Sequence, residues 1–299
     1  MKKDNFAILE IGSTNTKAYI YRNGDLEDYG QKFIAFKNNY SINKKLLESD
    51  IQELYKFIEE IKKEVSDIYA YGTSIFRKLD NDELENFKLD LENKNGVAFK
   101  VVSADEESYF TVKGVMANID YDKRMAVVIG GGGSTEIAII DNKEIINKIN
   151  LDFGAMDITN SFPELKEDKV ETDFDLILNH ALDKISGLED YSDILVLAGG
   201  DYIYFYQKAE YEMEDNFLYT DDNQKYLLEF DKLNFYDHDI LTKSLDDIKK
   251  KCVGNENWWD GARGMRFCMN AVARKLNSKY IIPTKINMII GLVDEIINN

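Results

Sequence analysis

The stretch Ala126-Val127-Val128-Ile129-Gly130-Gly131-Gly132-Gly133-Ser134-Thr135-Glu136-Ile137-Ala138-Ile139-Ile140 decides how this chain is read. An unbroken apolar run forms a buried strand, four glycines turn the chain, and a second apolar run begins at once. Glycine lets backbone amides approach a ligand with no Cβ in the way. Successive N–H groups in such a turn make a nest for phosphate oxygens. Ser134 and Thr135 add hydroxyls, and Glu136 adds a carboxylate. No lysine follows the glycines as it would in a Walker loop, and no helix opens as in a GxGxxG turn. For a single glycine run, a plain tight turn between two strands is the competing account.

The same grammar stands near the N-terminus. Phe6-Ala7-Ile8-Leu9-Glu10-Ile11 runs into Gly12-Ser13-Thr14-Asn15, then Lys17-Ala18-Tyr19-Ile20-Tyr21 and the hairpin pair Asn23-Gly24. The later unit closes likewise on Asp141-Asn142. A duplicated domain is the simplest account.

Helical spacing marks 46–65, 80–94, 174–185 and 286–297, and strand-like runs mark 67–71, 97–102 and 194–197. Strands alternating with helices predict a mixed α/β architecture. We place the first domain at 1–120 and the second at 121–299, with the last helix, 284–299, packing back on the first. The acid- and tyrosine-rich stretch 201–239 reads as irregular and half-buried.

Composition narrows the function. A chain of 299 residues suits two domains of ordinary size. A formal net charge of −18, spread along the chain, argues against a nucleic-acid polymer as partner. A small anion stays compatible, because screening over about 8 Å lets a local pocket oppose the global charge. No apolar run approaches the roughly 20 residues of a membrane span. Met1-Lys2-Lys3-Asp4-Asn5 leads into a strand rather than a signal peptide, so a cytoplasmic location is expected. Cys252, Cys268, His180 and His238 lack zinc-type spacing.

Four ordered motifs then carry a resemblance. Glu10-Ile11-Gly12-Ser13-Thr14-Asn15 resembles the first phosphate-binding turn of the actin and sugar-kinase superfamily. Gly72-Thr73-Ser74-Ile75-Phe76-Arg77, Ser103-Ala104-Asp105-Glu106-Glu107 and Gly131-Gly132-Gly133-Ser134-Thr135-Glu136 resemble successive motifs of the Ppx/GppA phosphatases.

The resemblance implies two duplicated actin-like, ribonuclease H-like domains with a cleft between them. It also implies Mg²⁺-dependent removal of a terminal phosphate from polyphosphate or guanosine pentaphosphate, and a homodimer. Carried over by position, Glu107 is the base for the attacking water, and Glu136 is catalytic and holds metal together with Glu10. Arg77 clamps phosphate, and Gly12, Ser13, Thr14, Gly131, Gly132, Gly133, Ser134 and Thr135 form the phosphate turns.

Four positions depart from the family pattern. Ile129 stands at an expected Asp, Glu10 at another, Asp157 at an expected Arg and Asp201 at an expected Thr. A second reading therefore stays open, in which the chain binds a phosphorylated ligand as a sensor or scaffold without turnover. A third is an ATP-dependent actin-like enzyme.

Overall fold

The computed structural model describes residues 4–13, 15–119, 121, 123–200, 202–215, 226–252 and 256–298. The chain forms two units, Met1–Phe110 with Ile289–Asn299, and Thr111–Met288. The division falls inside the helix Ala104–Asn118.

Unit 1 carries strands β1 (Asn5–Ile11), β2 (Asn15–Arg22), β3 (Asp25–Phe33), β4 (Ile68–Gly72) and β5 (Phe99–Val101). Their order is β3-β2-β1-β4-β5. β2 is antiparallel to β1 and β3, while β4 is parallel to β1 and β5. Asn23 and Gly24 both take positive φ, 53° and 110°, the twist a two-residue hairpin needs. The helix Glu48–Ile61 lays Leu54, Ile58 and Ile61 into the core shared with Leu9, Ile11 and Ala70.

Unit 2 carries β6 (Met125–Gly130), β7 (Thr135–Asp141), β8 (Glu144–Leu151), β9 (Ile194–Ala198), β10 (Glu214–Asp215), β11 (Tyr226–Glu229) and β12 (Tyr280–Pro283). The order is β10-β11-β12-β9-β6-β7-β8. Its β8-β7-β6-β9-β12 portion repeats the first sheet in both order and strand direction. Both units are thus actin-like, and the duplication read from two turns extends to whole sheets.

The strand register fixes how the copies correspond. Glu10 faces Lys17 and Ile11 faces Thr16, whereas Ile129 faces Glu136 and Gly130 faces Thr135. Gly12 therefore corresponds to Gly131. The letters Gly-Ser-Thr occur in both turns but are offset by two residues. Ile129 occupies the place of Glu10, and Glu136 the place of Lys17.

The stretch 201–239 is more regular than its composition suggests. It contains helix Tyr202–Lys208, β10, β11 and most of helix Phe230–Thr242; residues 201 and 216–225 lie outside the described residues. Further along, the helix Trp259–Lys275 buries two arginines. Arg266 Nε donates to Asp237 Oδ1 at 2.6 Å, and Asn270 donates to Asp237 Oδ2 at 2.9 Å. Arg263 sends all its guanidinium nitrogens to backbone carbonyls. Among the described residues no helix is long and apolar enough to cross a membrane.

Candidate functional site

In unit 1, β1 ends at Glu10 and Ile11 and turns through Gly12, whose N–H donates to Asn15 O at 2.9 Å. The Ser13 hydroxyl is buried with no partner among the described residues, an oxygen poised for a ligand. Thr14 lies outside the described residues.

Half-buried Glu10 has its carboxyl pushed above the usual range, first by burial and further by the charge of Glu107. Lys17, opposite it on β2, works the other way. Two carboxylates thus stand close enough to feel one another.

Glu107 is delivered by the first turn of helix Ala104–Asn118. That turn is closed by a capping box: Glu106 N donates to Ser103 Oγ at 3.1 Å, and Ser103 N donates to Glu106 Oε2 at 3.0 Å. Lys100 also binds Glu106, at 2.8 Å, and is the main reason its carboxyl sits below the usual range. Of the two adjacent acids, Glu106 holds the helix and Glu107 points elsewhere. Arg77 Nη1 donates to Glu107 Oε2 at 2.9 Å and to Val102 O at 3.0 Å. Arg77, expected on phosphate oxygens, here aims the carboxylate expected to act as base.

In unit 2, Gly131 N donates to Ser134 O at 2.8 Å, closing the glycine turn as Gly12 closes its own. The carbonyls of Gly131 and Gly132 accept from Ala155 N and Met156 N at 3.1 and 2.7 Å. The first amides of helix Ala155–Ser161 are thereby committed to the turn. No backbone partner for the amides of exposed Gly132 and Gly133 occurs among the described residues, which leaves both amides for an anion. Ser134 Oγ donates to Glu136 Oε1 at 2.8 Å and fixes that carboxylate. Thr135 is fully buried and gives its hydroxyl to Phe153 O at 2.8 Å, so its side chain serves the fold.

Two departures from the family pattern acquire physical reasons. Asp157 Oδ2 accepts from Gly154 N at 2.8 Å, so the acid caps a helix start where a phosphate-binding cation was expected. Ile129 packs at the end of β9, where Gly199 takes φ +80° and a Cβ would lie 2.6 Å from Ile129 Cγ2. Asp201 lies outside the described residues.

Gly154 holds the turn itself. A Cβ there would sit 2.5 Å from Gly131 O and 2.8 Å from the Gly132 carbonyl. Backbone cannot swing aside, so Gly154→Ala is expected to cost about 1–3 kcal/mol in urea unfolding. Gly133→Ala, which meets nothing within 4 Å, should cost far less.

Among the described residues no cluster of three or more His, Cys, Asp or Glu is arranged to hold a metal. Mg²⁺ commonly takes only one or two carboxylates, with water and phosphate oxygens completing its shell. Glu10, half-buried at the end of β1 with its carboxyl held above the usual range mainly by burial, offers one such oxygen donor in unit 1, and Glu136 offers one in unit 2. Sequence reasoning missed an apolar cavity beside the glycine turn, to which Met156, Trp258 and Met265 contribute.

Known proteins share this fold. A Ppx/GppA phosphatase of Aquifex aeolicus superposes with a TM-score of 0.76 at 17% identity, covering 98% of this chain and 99% of that one. An exopolyphosphatase from Cytophaga hutchinsonii gives 0.70 at 15% identity, covering 99% and 98%. At such identities the likeness is one of fold. A 129-residue segment is 30% identical to a bifunctional 3-dehydroquinate synthase/phosphatase of Fusobacterium nucleatum, and covers 40% of this chain. The match spans 19% of that relative's length. The pattern of the Ppx/GppA phosphatase family matches residues 30–199, over half of the sequence, and with both sheets and both turns in place the chain belongs to that family.

Proposed function

We propose that this protein hydrolyses the terminal phosphoanhydride of inorganic polyphosphate or guanosine pentaphosphate with Mg²⁺. The observation that carries the reading is Glu107, set by a capped helix start, aimed by Arg77 and felt electrostatically by Glu10. Glu107 accepts a proton from water as the water oxygen bonds to phosphorus and the bridging P–O bond breaks. Such a base must lie within hydrogen-bond reach of that water. Arg77 keeps the carboxylate in place. In unit 2, the Gly132 and Gly133 amides bind phosphate oxygens, and Glu136 is held by Ser134. Glu10 in unit 1 and Glu136 in unit 2 are each proposed to offer a carboxylate to Mg²⁺. When bound, the ion neutralises charge on the leaving phosphate.

The test is phosphate release from polyphosphate and from guanosine pentaphosphate, with Mg²⁺ and after chelation. Turnover with Mg²⁺ and none with chelator is the expected result. Absence of turnover on both substrates would overturn it.

One observation favours a second reading. Ile129 packs where the first copy has Glu10, so unit 2 lacks a carboxylate at that strand end. A protein that binds the phosphorylated ligand without turnover would saturate with ligand and release no phosphate.

A further inference from the structure

Unit 2 holds a cavity of about 200 Å³ that opens beside the glycine turn. Gly130 and Gly132 form one wall, and Met156, Tyr202, Trp258 and Met265 form much of the rest. Among the described residues no charged side chain lines it. The Tyr202 hydroxyl is hydrogen-bonded to the Gly130 backbone, and burial pushes that phenol up to about 12, so it stays neutral.

Such a lining is wrong for a polyphosphate chain. Each phosphate brings charge, and charge moved against Met, Trp and Ala with no cation loses its hydration without return. It is equally poor at reading the polar edge of a base, because the side-chain hydroxyl among its described residues, that of Tyr202, is already engaged. It suits an uncharged ring: a cavity of about 150 Å³ accepts benzene, and thioether sulfur and indole both favour aromatic contact.

The mouth points the same way. Met156 and Trp258 remain 39% and 37% exposed, although most large apolar side chains of this unit are buried. Trp258 is braced edge-on by Tyr204 and Trp259, with ring centroids 5.5 and 5.2 Å away. The indole is held in place rather than free to fold over the opening.

We propose that this cavity receives the uncharged, flat aromatic body of a phosphorylated organic molecule whose phosphate lies on the Gly132–Ser134 turn. The proposal rests on reading that turn as a phosphate nest. It makes the cavity a specificity element that tells an aryl phosphate from a bare phosphate chain.

The experiment is calorimetric titration of the full chain with 1-naphthyl phosphate, inorganic phosphate and 1-naphthol, for wild type, Trp258→Ala and Met156→Ala. Both replaced residues are partly exposed, so both variants should fold. Burying the ring predicts that 1-naphthyl phosphate binds roughly 10- to 100-fold tighter than inorganic phosphate. Both variants should erase that preference while leaving inorganic phosphate binding unchanged. Equal wild-type affinities would overturn the proposal, as would variants that keep the preference or lose both ligands together. Naphthol binding as tightly as its phosphate would overturn it too, by separating cavity from turn. Failure of the hydrolase reading appears separately, as absent phosphate release with the naphthyl preference intact.

Discussion

Glu107→Gln is expected to lower Mg²⁺-dependent phosphate release by about 10²- to 10⁴-fold, the usual worth of a positioned general base. Glutamine keeps the shape and can still meet Arg77 but cannot take a proton. The fold should be indifferent, because the Arg77–Glu107 pair is 30% and 38% exposed, and such pairs contribute at most about 1 kcal/mol. Steady-state rates with an unfolding curve on the same sample separate chemistry from folding.

Arg77→Ala sharpens the argument. If Arg77 acts by aiming Glu107, removing it costs rate, and the double variant costs little beyond Glu107→Gln alone. If Arg77 instead grips phosphate independently, the two losses add. A Glu107→Gln enzyme that keeps its rate would remove Glu107 as the base.

The parts of this molecule that were legible in the sequence are those where local chemistry and global fold agree. Each half has a strand, a glycine turn and a hairpin strand, and both turns use the hydrogen bond of a tight reversal at Gly12 and Gly131. Glu107 could also be told from Glu106, since Ser103-x-x-Glu106 is itself a helix-start pattern that commits the earlier acid. Asp157, an acid three residues past Gly154, carries the same kind of helix-start pattern, although in the sequence it stands out only as an acid where a cation was expected.

The illegible parts depend on partners distant in sequence. The meeting of Arg77 with Glu107 crosses 30 residues, and no spacing rule announces it. The cavity needs Met156, Tyr202 and Trp258 from separate elements. Helix Trp259–Lys275 keeps a one-sided apolar pattern, but nothing in that pattern announces that polar Arg263, Arg266 and Asn270 are buried on it.

Arg263 shows what that helix does for stability. An arginine in sequence reads as surface, yet this one is fully buried. Its Nε donates to Ile240 O at 3.1 Å, Nη1 to Leu165 O at 3.3 Å and Glu167 O at 2.6 Å, and Nη2 to Asp168 O at 3.0 Å and Lys243 O at 2.8 Å. Burial lowers the guanidinium's pKa to about 10, so it is still charged at neutral pH and every carbonyl faces a cation.

Five donors in a rigid fork thereby tie two segments to one helix. Lysine offers at most three donors on a different shape. Each carbonyl left bare inside costs about 1–3 kcal/mol, and the losses are not additive. We therefore expect Arg263→Met to lower the unfolding free energy by at least about 4 kcal/mol and Arg263→Lys to recover little of it. Arg274→Met, on the exposed face of the same helix, should cost under about 1 kcal/mol. Urea unfolding of the three variants decides the matter. Equal costs at 263 and 274 would mean the carbonyls find water instead, and the buried fork would then be a consequence of the fold rather than one of its supports.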